Sequence, residues 1–347
     1  MHYHTIDIHN KPEREEIIEF LQKLGLGYEK DIEYTIALLD NGKIIGTGSI
    51  SGKVLKSIAV DPQRQGEGIA SKIITRLVKE QFKRGRTKIF LFTSPNKVEQ
   101  FIGLGFQLLA LAEPSYALLE MGMGGIKQYL QDLQKYKFKE INKKIISAIV
   151  LNANPFTLGH QYLVKKASLE SDAVYIFVVR EDKSLFPFKV RFSLIEQGCK
   201  KFNNVKIVDG GDYIISNATF PTYFSRESER DIVFAQASLD INIFVRYIVP
   251  TLKINRRYIG NEPYCETTNI YNQVMKKILP LSGVEIIEVS RFEKEGEALS
   301  ASSVRDLIKK PDFAEIKKLV PSSTYRFLTS REAEPIIKKI KFSDSRH

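Results

Sequence analysis

The stretch IVLNANPFTLGHQYLVKKA, residues 149–167, decides how this chain folds. An apolar, β-branched run stops at Asn152. Asn154-Pro155-Phe156 then makes a turn, and Thr157-Leu158-Gly159-His160 leads into QYLVKKASLESD, whose apolar positions 162, 163 and 167 predict a helix. A strand tip followed at once by a helix N-terminus is where open α/β sheets bind ligands. The first amides of such a helix have no intrahelical partner and suit a phosphate. Gly159 permits close approach of a ligand, and His160 can donate a hydrogen bond to it. The other four histidines, His2, His4, His9 and His347, lie near the ends of the chain. The competing reading of His160 is a buried histidine that serves packing alone.

Outward from this stretch, strand-like runs (IISAIVLN, AVYIFVV, VKIVDG, RRYIG, VEIIEVS) alternate with helical segments from Ile145 onward. That alternation predicts βαβ units and a doubly wound, Rossmann-like parallel sheet over residues 145–335, followed by a tail at 336–347. Upstream the texture differs. YTIALLD and KIIGTGSI flank Asn41-Gly42, a hairpin signal, and KVLKSIAV is a third run. A helix is predicted over 68–83, with Ile69, Ile73, Ile74, Leu77 and Val78 on one face. KIFLFT, a helix near 98–104 and a last extended segment complete a mixed α+β domain at 1–125. MGMGG at 121–125 breaks the pattern, and the polar, lysine-rich stretch 126–144 reads as a linker helix.

The length of 347 residues agrees with two domains. No run of eighteen apolar residues occurs, so no membrane span is expected, and MHYHTIDIHNKPEREE has no signal-peptide core. Two cysteines, Cys199 and Cys265, predict a reducing compartment, with the cytoplasm as the expected location. The net charge of +11 suits an anionic cofactor or an acidic partner. Its lysines are scattered in pairs rather than gathered in one block, so nucleic acid is not the expected partner.

Two constellations carry chemistry. In the first domain, Gln63-Arg64-Gln65-Gly66-Glu67-Gly68 sits between a strand and a helix. It resembles the pyrophosphate-binding motif of the GNAT acyltransferases, and the flanking strands and FLFTSPNKVEQFIGLGF are similar to that family over roughly residues 1–120. The resemblance implies that Gln63, Arg64, Gly66 and Gly68 hold the pyrophosphate of a coenzyme A-like arm. Tyr116 is a candidate acid by position, against a reading as a packed aromatic.

In the second domain, Thr157 to His160 resembles the TxGH signature of the nucleotidylyltransferase superfamily, of HUP-type fold. There Thr and His stabilise charge on the transferring phosphorus, which assigns that work to Thr157 and His160. Lys183 and Arg191, in VVREDKSLFPFKVRFSLIEQG, match positions that contact phosphates or the acceptor. ALSASSVRDLIKK resembles the superfamily's I-S-S-T-x-x-R signature, with Ser300, Ser302, Ser303 and Arg305 at a helix N-terminus and Ala301 in place of a serine. Asn152, Asn154, Phe156 and Gly159, together with Gly260, Asn261 and Glu262 on a loop after RRYIG, complete the implied ATP site. Cys265 reads as a packing residue. Beyond the phosphates and one carboxylate the sequence offers no cation cage, and Mg²⁺ is expected to ride on the triphosphate.

The order of the two constellations, with ATFPTYFSRESE and AQASLDINIFVRYIVPTLKINRRYIGNEPYCETTNIYNQVM between them, resembles the citrate lyase synthetase, or citrate (pro-3S)-lyase ligase, family over nearly the full chain. The resemblance implies an AMP-forming ligase. It would consume ATP and acetate to acetylate the thiol of a coenzyme A-like group on the acyl carrier subunit of citrate lyase. Tyr223 and Arg226 are the candidates for the acetate pocket, with Arg226 pairing the carboxylate; a loop packed on the sheet is the alternative. Three other functions compete. One is adenylyl transfer to a different small acceptor. Another is N-acetyl transfer by a GNAT enzyme with an appended nucleotide-binding domain. The third is a regulatory or nucleic-acid-binding protein with a degenerate nucleotide fold.

Overall fold

The computed structural model describes residues 1–139, 144–180, 184–214, 228–262, 265–290, 293–294, 297–298 and 300–342. Alternating apolar residues build the first sheet. Its strands are β1 (His2–Ile6), β2 (Tyr34–Asp40), β3 (Lys43–Ser51), β4 (Val54–Val60), β5 (Lys88–Thr93), β6 (Gln107–Ala112) and β7 (Tyr116–Gly122). They lie in the order β1-β2-β3-β4-β5-β7-β6. Period-2 alternation sends Ile36 and Leu38 to one face and Ala37 to the other. Helix α1 (Lys11–Lys23) covers the Ala37 face with Ile17 and Leu21. Helix α2 (Ile69–Lys83) covers the opposite face with Ile69, Ile73, Ile74 and Leu77, and the fifth residue expected there, Val78, packs against them half-buried. The short α3 (Val98–Ile102) joins that side. Neighbouring strands are antiparallel except β4 and β5, which pair in parallel at Val54–Phe90 and Leu55–Leu91 only.

Helix α4 (Ile126–Gln134) follows. The second sheet contains β8 (Ile146–Leu151), β9 (Ala173–Val178), β10 (Val205–Asp209), β11 (Arg256–Gly260) and β12 (Glu285–Val289). Helices α5 (Leu158–Leu169) and α6 (Phe188–Cys199) connect the first three strands. The order β10-β9-β8-β11-β12 is parallel throughout, so the topology reverses between β8 and β11. Every residue of β9 is buried, which explains its uninterrupted apolar sequence. Ile149, Leu151, Ile176 and Val178 pack against Leu163, Val164, Leu194 and Ile195 of α5 and α6.

Between β10 and β11 runs α7 (Glu229–Ile243), continued by a π-helical turn at Phe244–Ile248 and by α8 (Val249–Leu252). The chain divides into two compact units, residues 1–129 with 219–242, and residues 130–218 with 243–347. Domains that follow one another along the chain do not include this return of 219–242 to the first unit. Within that unit Asn242 Nδ2 donates to the Leu111 carbonyl at 2.8 Å. The continuous helix Arg230–Leu252 is long and apolar enough, by length and composition, to cross a membrane, and 56% of its most apolar window is buried inside the protein. Its charged residues interrupt the apolar run in the sequence.

After β11 come α9 (Glu266–Ile278), β12, α10 (Ala301–Lys309), α11 (Phe313–Leu319), α12 (Ser322–Leu328) and α13 (Glu334–Phe342). The last four helices share a core of Val304, Ile308, Ile316, Leu328, Ile336 and Ile340. The stretch expected as a tail from residue 336 is therefore helix as far as Phe342, because Ile336 and Ile340, four residues apart, share its buried face.

Gly198 of α6 presses on the loop before α5. A Cβ built there would lie 2.5 Å from Cε1 of Phe156. Gly198→Ala is expected to cost about 1–3 kcal/mol through overpacking. Thermal unfolding would show this as a fall in Tm of several degrees.

Candidate active site

The C-terminal edge of the second sheet, at the β8–β11 reversal, gathers most of the candidate residues. Thr157 is the N-cap of α5, and His160 is its third helical residue. Their side chains cap the helix reciprocally, with histidine in the place that glutamate or glutamine usually takes. His160 Nδ1 lies 3.0 Å from the Thr157 amide nitrogen and 2.8 Å from Thr157 Oγ1. A backbone amide only donates, so Nδ1 accepts and the neutral ring carries its proton on Nε2. The cap thus fixes both the ring's orientation and its tautomer. The ring also stacks on Phe156, with centroids 5.8 Å apart and planes 16° from parallel. Thr157 is buried, and His160 is half-buried.

Arg305 comes from α10, far along the sequence. Its Nη1 donates to the Asn154 carbonyl at 2.6 Å, and its Nη2 donates to Ser302 Oγ at 3.1 Å. Burial pulls its guanidinium down from the ordinary arginine range, with a smaller opposing effect from Asp306. Ser300 caps α10 by accepting from the Ser303 amide at 3.0 Å, and its hydroxyl meets that of Ser303 at 2.8 Å. The structure thus brings Thr157, His160, Ser302 and Arg305 to one loop, the turn 152–157.

Several expected ligand contacts have other partners. Arg191 is fully buried. Its Nε donates to the Phe186 carbonyl at 2.9 Å, and its Nη1 donates to the carbonyls of Asn152 (2.9 Å) and Val179 (2.8 Å). It ties the ends of β8 and β9 to the loop before α6. Phe156, expected beside ATP, has 0% exposure and lies in the core, with its carbonyl accepting from Thr324 Oγ1 at 2.9 Å. Asn154 is also buried, and its Oδ1 accepts from the Phe186 amide at 3.0 Å. Asn152 is exposed at the strand tip, and its amide exchanges hydrogen bonds with Ser184 at 3.2 and 3.3 Å. Gly159 is the second helical residue of α5 and is half-buried.

Across the reversal, Gly260 and Asn261 are exposed at the end of β11. The Asn261 amide donates to the Val289 carbonyl at 2.9 Å, and Glu262 Oε1 accepts from the Cys265 amide at 3.2 Å. Asn272, which the sequence reading passed over, donates from Nδ2 to the Gly260 carbonyl at 3.0 Å. Its signal was a polar residue on the apolar face of α9, between Ile270 and Val274, with 5% exposure. Cys199 is buried, and burial pushes its thiol up to about 12. Lys183, Tyr223 and Arg226 lie outside the described residues. Among the described residues no group of three or more His, Cys, Asp or Glu could hold a metal ion.

In the first unit, Gly68 is the left-handed N-cap of α2 (φ +72°), and Gly66 has φ +90°. The motif's first two residues have other partners. The Gln63 amide donates to Asp61 Oδ1 at 3.0 Å, and Arg64 is engaged by Asp40 and Glu67. The amides available to an anion are those of Gly68 and the first turn of α2, with Lys72 the first to bond back into the helix, at 3.1 Å to Gly68. Tyr116 is 1% exposed within β7.

Comparison with known proteins finds matches in both halves of the chain. Residues 146–328 match the family described as "Citrate lyase ligase C-terminal domain", and residues 3–113 match the acetyltransferase (GNAT) family. A citrate (pro-3S)-lyase ligase of Klebsiella pneumoniae is 40% identical over 92% of this chain and 93% of that protein. The proteins of that name from Escherichia coli K12 and Haemophilus influenzae are 34% and 32% identical, over 90% and 89% of this chain and 89% and 93% of their own lengths. The chain belongs to the citrate (pro-3S)-lyase ligase family.

Proposed function

We propose that this enzyme activates acetate with ATP and transfers the acetyl group to the thiol of a coenzyme A-like group on the citrate lyase acyl carrier subunit. The observation that carries the reading is the Thr157–His160 cap with Arg305 anchored on the same loop. An acetate oxygen attacks the α-phosphorus of ATP, and the bond to the β-phosphate oxygen breaks, releasing pyrophosphate. His160 Nε2–H and the first amides of α5 stabilise the charge that develops on the non-bridging oxygens. Arg305 and Ser302 hold phosphate oxygens at the start of α10. The carrier thiol, as thiolate, then attacks the acetyl carbonyl, and AMP leaves. Its proton passes to solvent.

Asn152 and the Gly260–Glu262 edge are assigned to the nucleoside side of the crevice, with Gly159 giving the phosphates room. Arg191, Phe156 and Asn154 are assigned to positioning, because Arg191 and Phe156 are fully enclosed and the Asn154 side chain holds the Phe186 amide. Lys183 is kept for the phosphates, and Tyr223 with Arg226 for acetate, on resemblance alone. Mg²⁺ would neutralise the triphosphate. Glu262 is the one carboxylate that the site offers it among the described residues assigned here. The pyrophosphate of the carrier's arm is assigned to Gly66, Gly68 and the start of α2. The expected location is the cytoplasm, where the enzyme meets ATP and its cysteines stay reduced.

The test is ATP–pyrophosphate exchange. Exchange is expected only when acetate is added, and without any carrier protein. Exchange that ignores acetate, or an adenylyl group retained in the product, would point instead to a nucleotidyltransferase with another acceptor.

A further inference from the structure

The loop before α2 offers amides to an anion and yet carries its own carboxylate beside them. Space next to its glycines is open, since a Cβ at Gly66 or Gly68 would meet nothing within 4 Å. Two charged side chains flank that opening, and they bind each other. Arg64 donates to Glu67 from Nε at 2.6 Å and from Nη2 at 2.9 Å, a two-pronged contact. Its Nη1 donates to Asp40 Oδ2 at 2.9 Å. The guanidinium is therefore turned to carboxylates on two of its edges and is raised above the ordinary arginine range, first by Glu67 and then by Asp40. Glu67 is held below the usual carboxylate range by the same contact, with smaller help from Lys72. Asp40 also faces the Met1 ammonium at 3.5 Å.

A phosphate group arriving at the start of α2 thus meets a glutamate one residue before the N-cap, and an arginine that is already engaged. Helix dipole and amides attract it, Glu67 repels it, and Glu67 also competes with it for Arg64. We propose that Glu67 acts as a charge latch that sets how tightly the first unit holds the pyrophosphate of a coenzyme A-like arm, by keeping Arg64 from the ligand. This rests on the assignment of that loop to the carrier's prosthetic group. The latch favours exchange over retention: an arm that must leave after each acetylation is held by amides and not by a full arginine clamp.

The experiment is calorimetric binding of coenzyme A to the full chain at low salt. Glu67→Gln removes the competing charge and leaves Arg64 in place. It is expected to tighten binding by about 3- to 10-fold, from one charge acting on a pyrophosphate through solvent-screened distances. Arg64→Met leaves Glu67 unneutralised and is expected to weaken binding by a similar factor. The tightening should shrink as salt is raised. If the natural chain binds coenzyme A and Glu67→Gln binds no more tightly, the latch is wrong and the site stands. If neither protein binds it, the assignment of the loop falls, and the latch with it.

Discussion

Replacing His160 by alanine is expected to lower acetate-dependent ATP–pyrophosphate exchange by about a hundred- to a thousandfold, the scale of losing one preorganised donor to a developing oxyanion. The helix should survive, because the lost cap contact is worth only about 1 kcal/mol. His160→Gln sharpens the test. Glutamine is a regular partner in this capping arrangement and can still accept from the Thr157 amide. It cannot present an imidazole Nε2–H. Unfolding of His160→Gln should match the natural chain, while exchange stays low. Exchange within a few-fold of the natural chain would remove His160 from the chemistry.

Arg191→Met is expected to act through stability first. Three carbonyls, from Phe186, Asn152 and Val179, would lose the donor they share. Buried acceptors left without partners are costly, and breaking a buried charged contact costs about 3–5 kcal/mol. For a unit of roughly 200 residues that is a fall in Tm of about 10 °C. Arg191→Lys should recover little, because one ammonium has no flat fork to reach three carbonyls at once. Below its unfolding range the Met variant should show a raised KM for ATP, since Asn152 and the turn after it lose their tether. An unchanged Tm would show that the guanidinium does not hold these strand ends.

The parallel sheet could be read from the sequence because its strands are covered on both faces, which demands continuous apolar runs such as AVYIFV of β9. The histidine could be read because strand, turn and helix follow one another locally. What could not be read is where cations spend their donors. Arg64 finds Asp40 at the end of β2, a strand away, so a residue that looks like a phosphate ligand is an ion-pair partner. Arg191 sits on a helix whose sequence gives no sign of full burial. Phe156, placed in the implied ATP site from its position in the turn, instead plugs the space that Gly198 leaves open. The membership of 219–242 in the first unit depends on contacts such as Asn242 with Leu111, which no local pattern encodes.

The turn that bears Thr157 is buttressed from far downstream: Arg305 grips Asn154 across 151 residues, and Thr324 grips Phe156 across 168. A ribosome that has just finished α5 has therefore made the Thr157–His160 cap but not its props. Until α10 and α12 have emerged and docked, a growing chain holds this turn without its two downstream supports. The order of this turn is in this way tied to synthesis of the chain through α12.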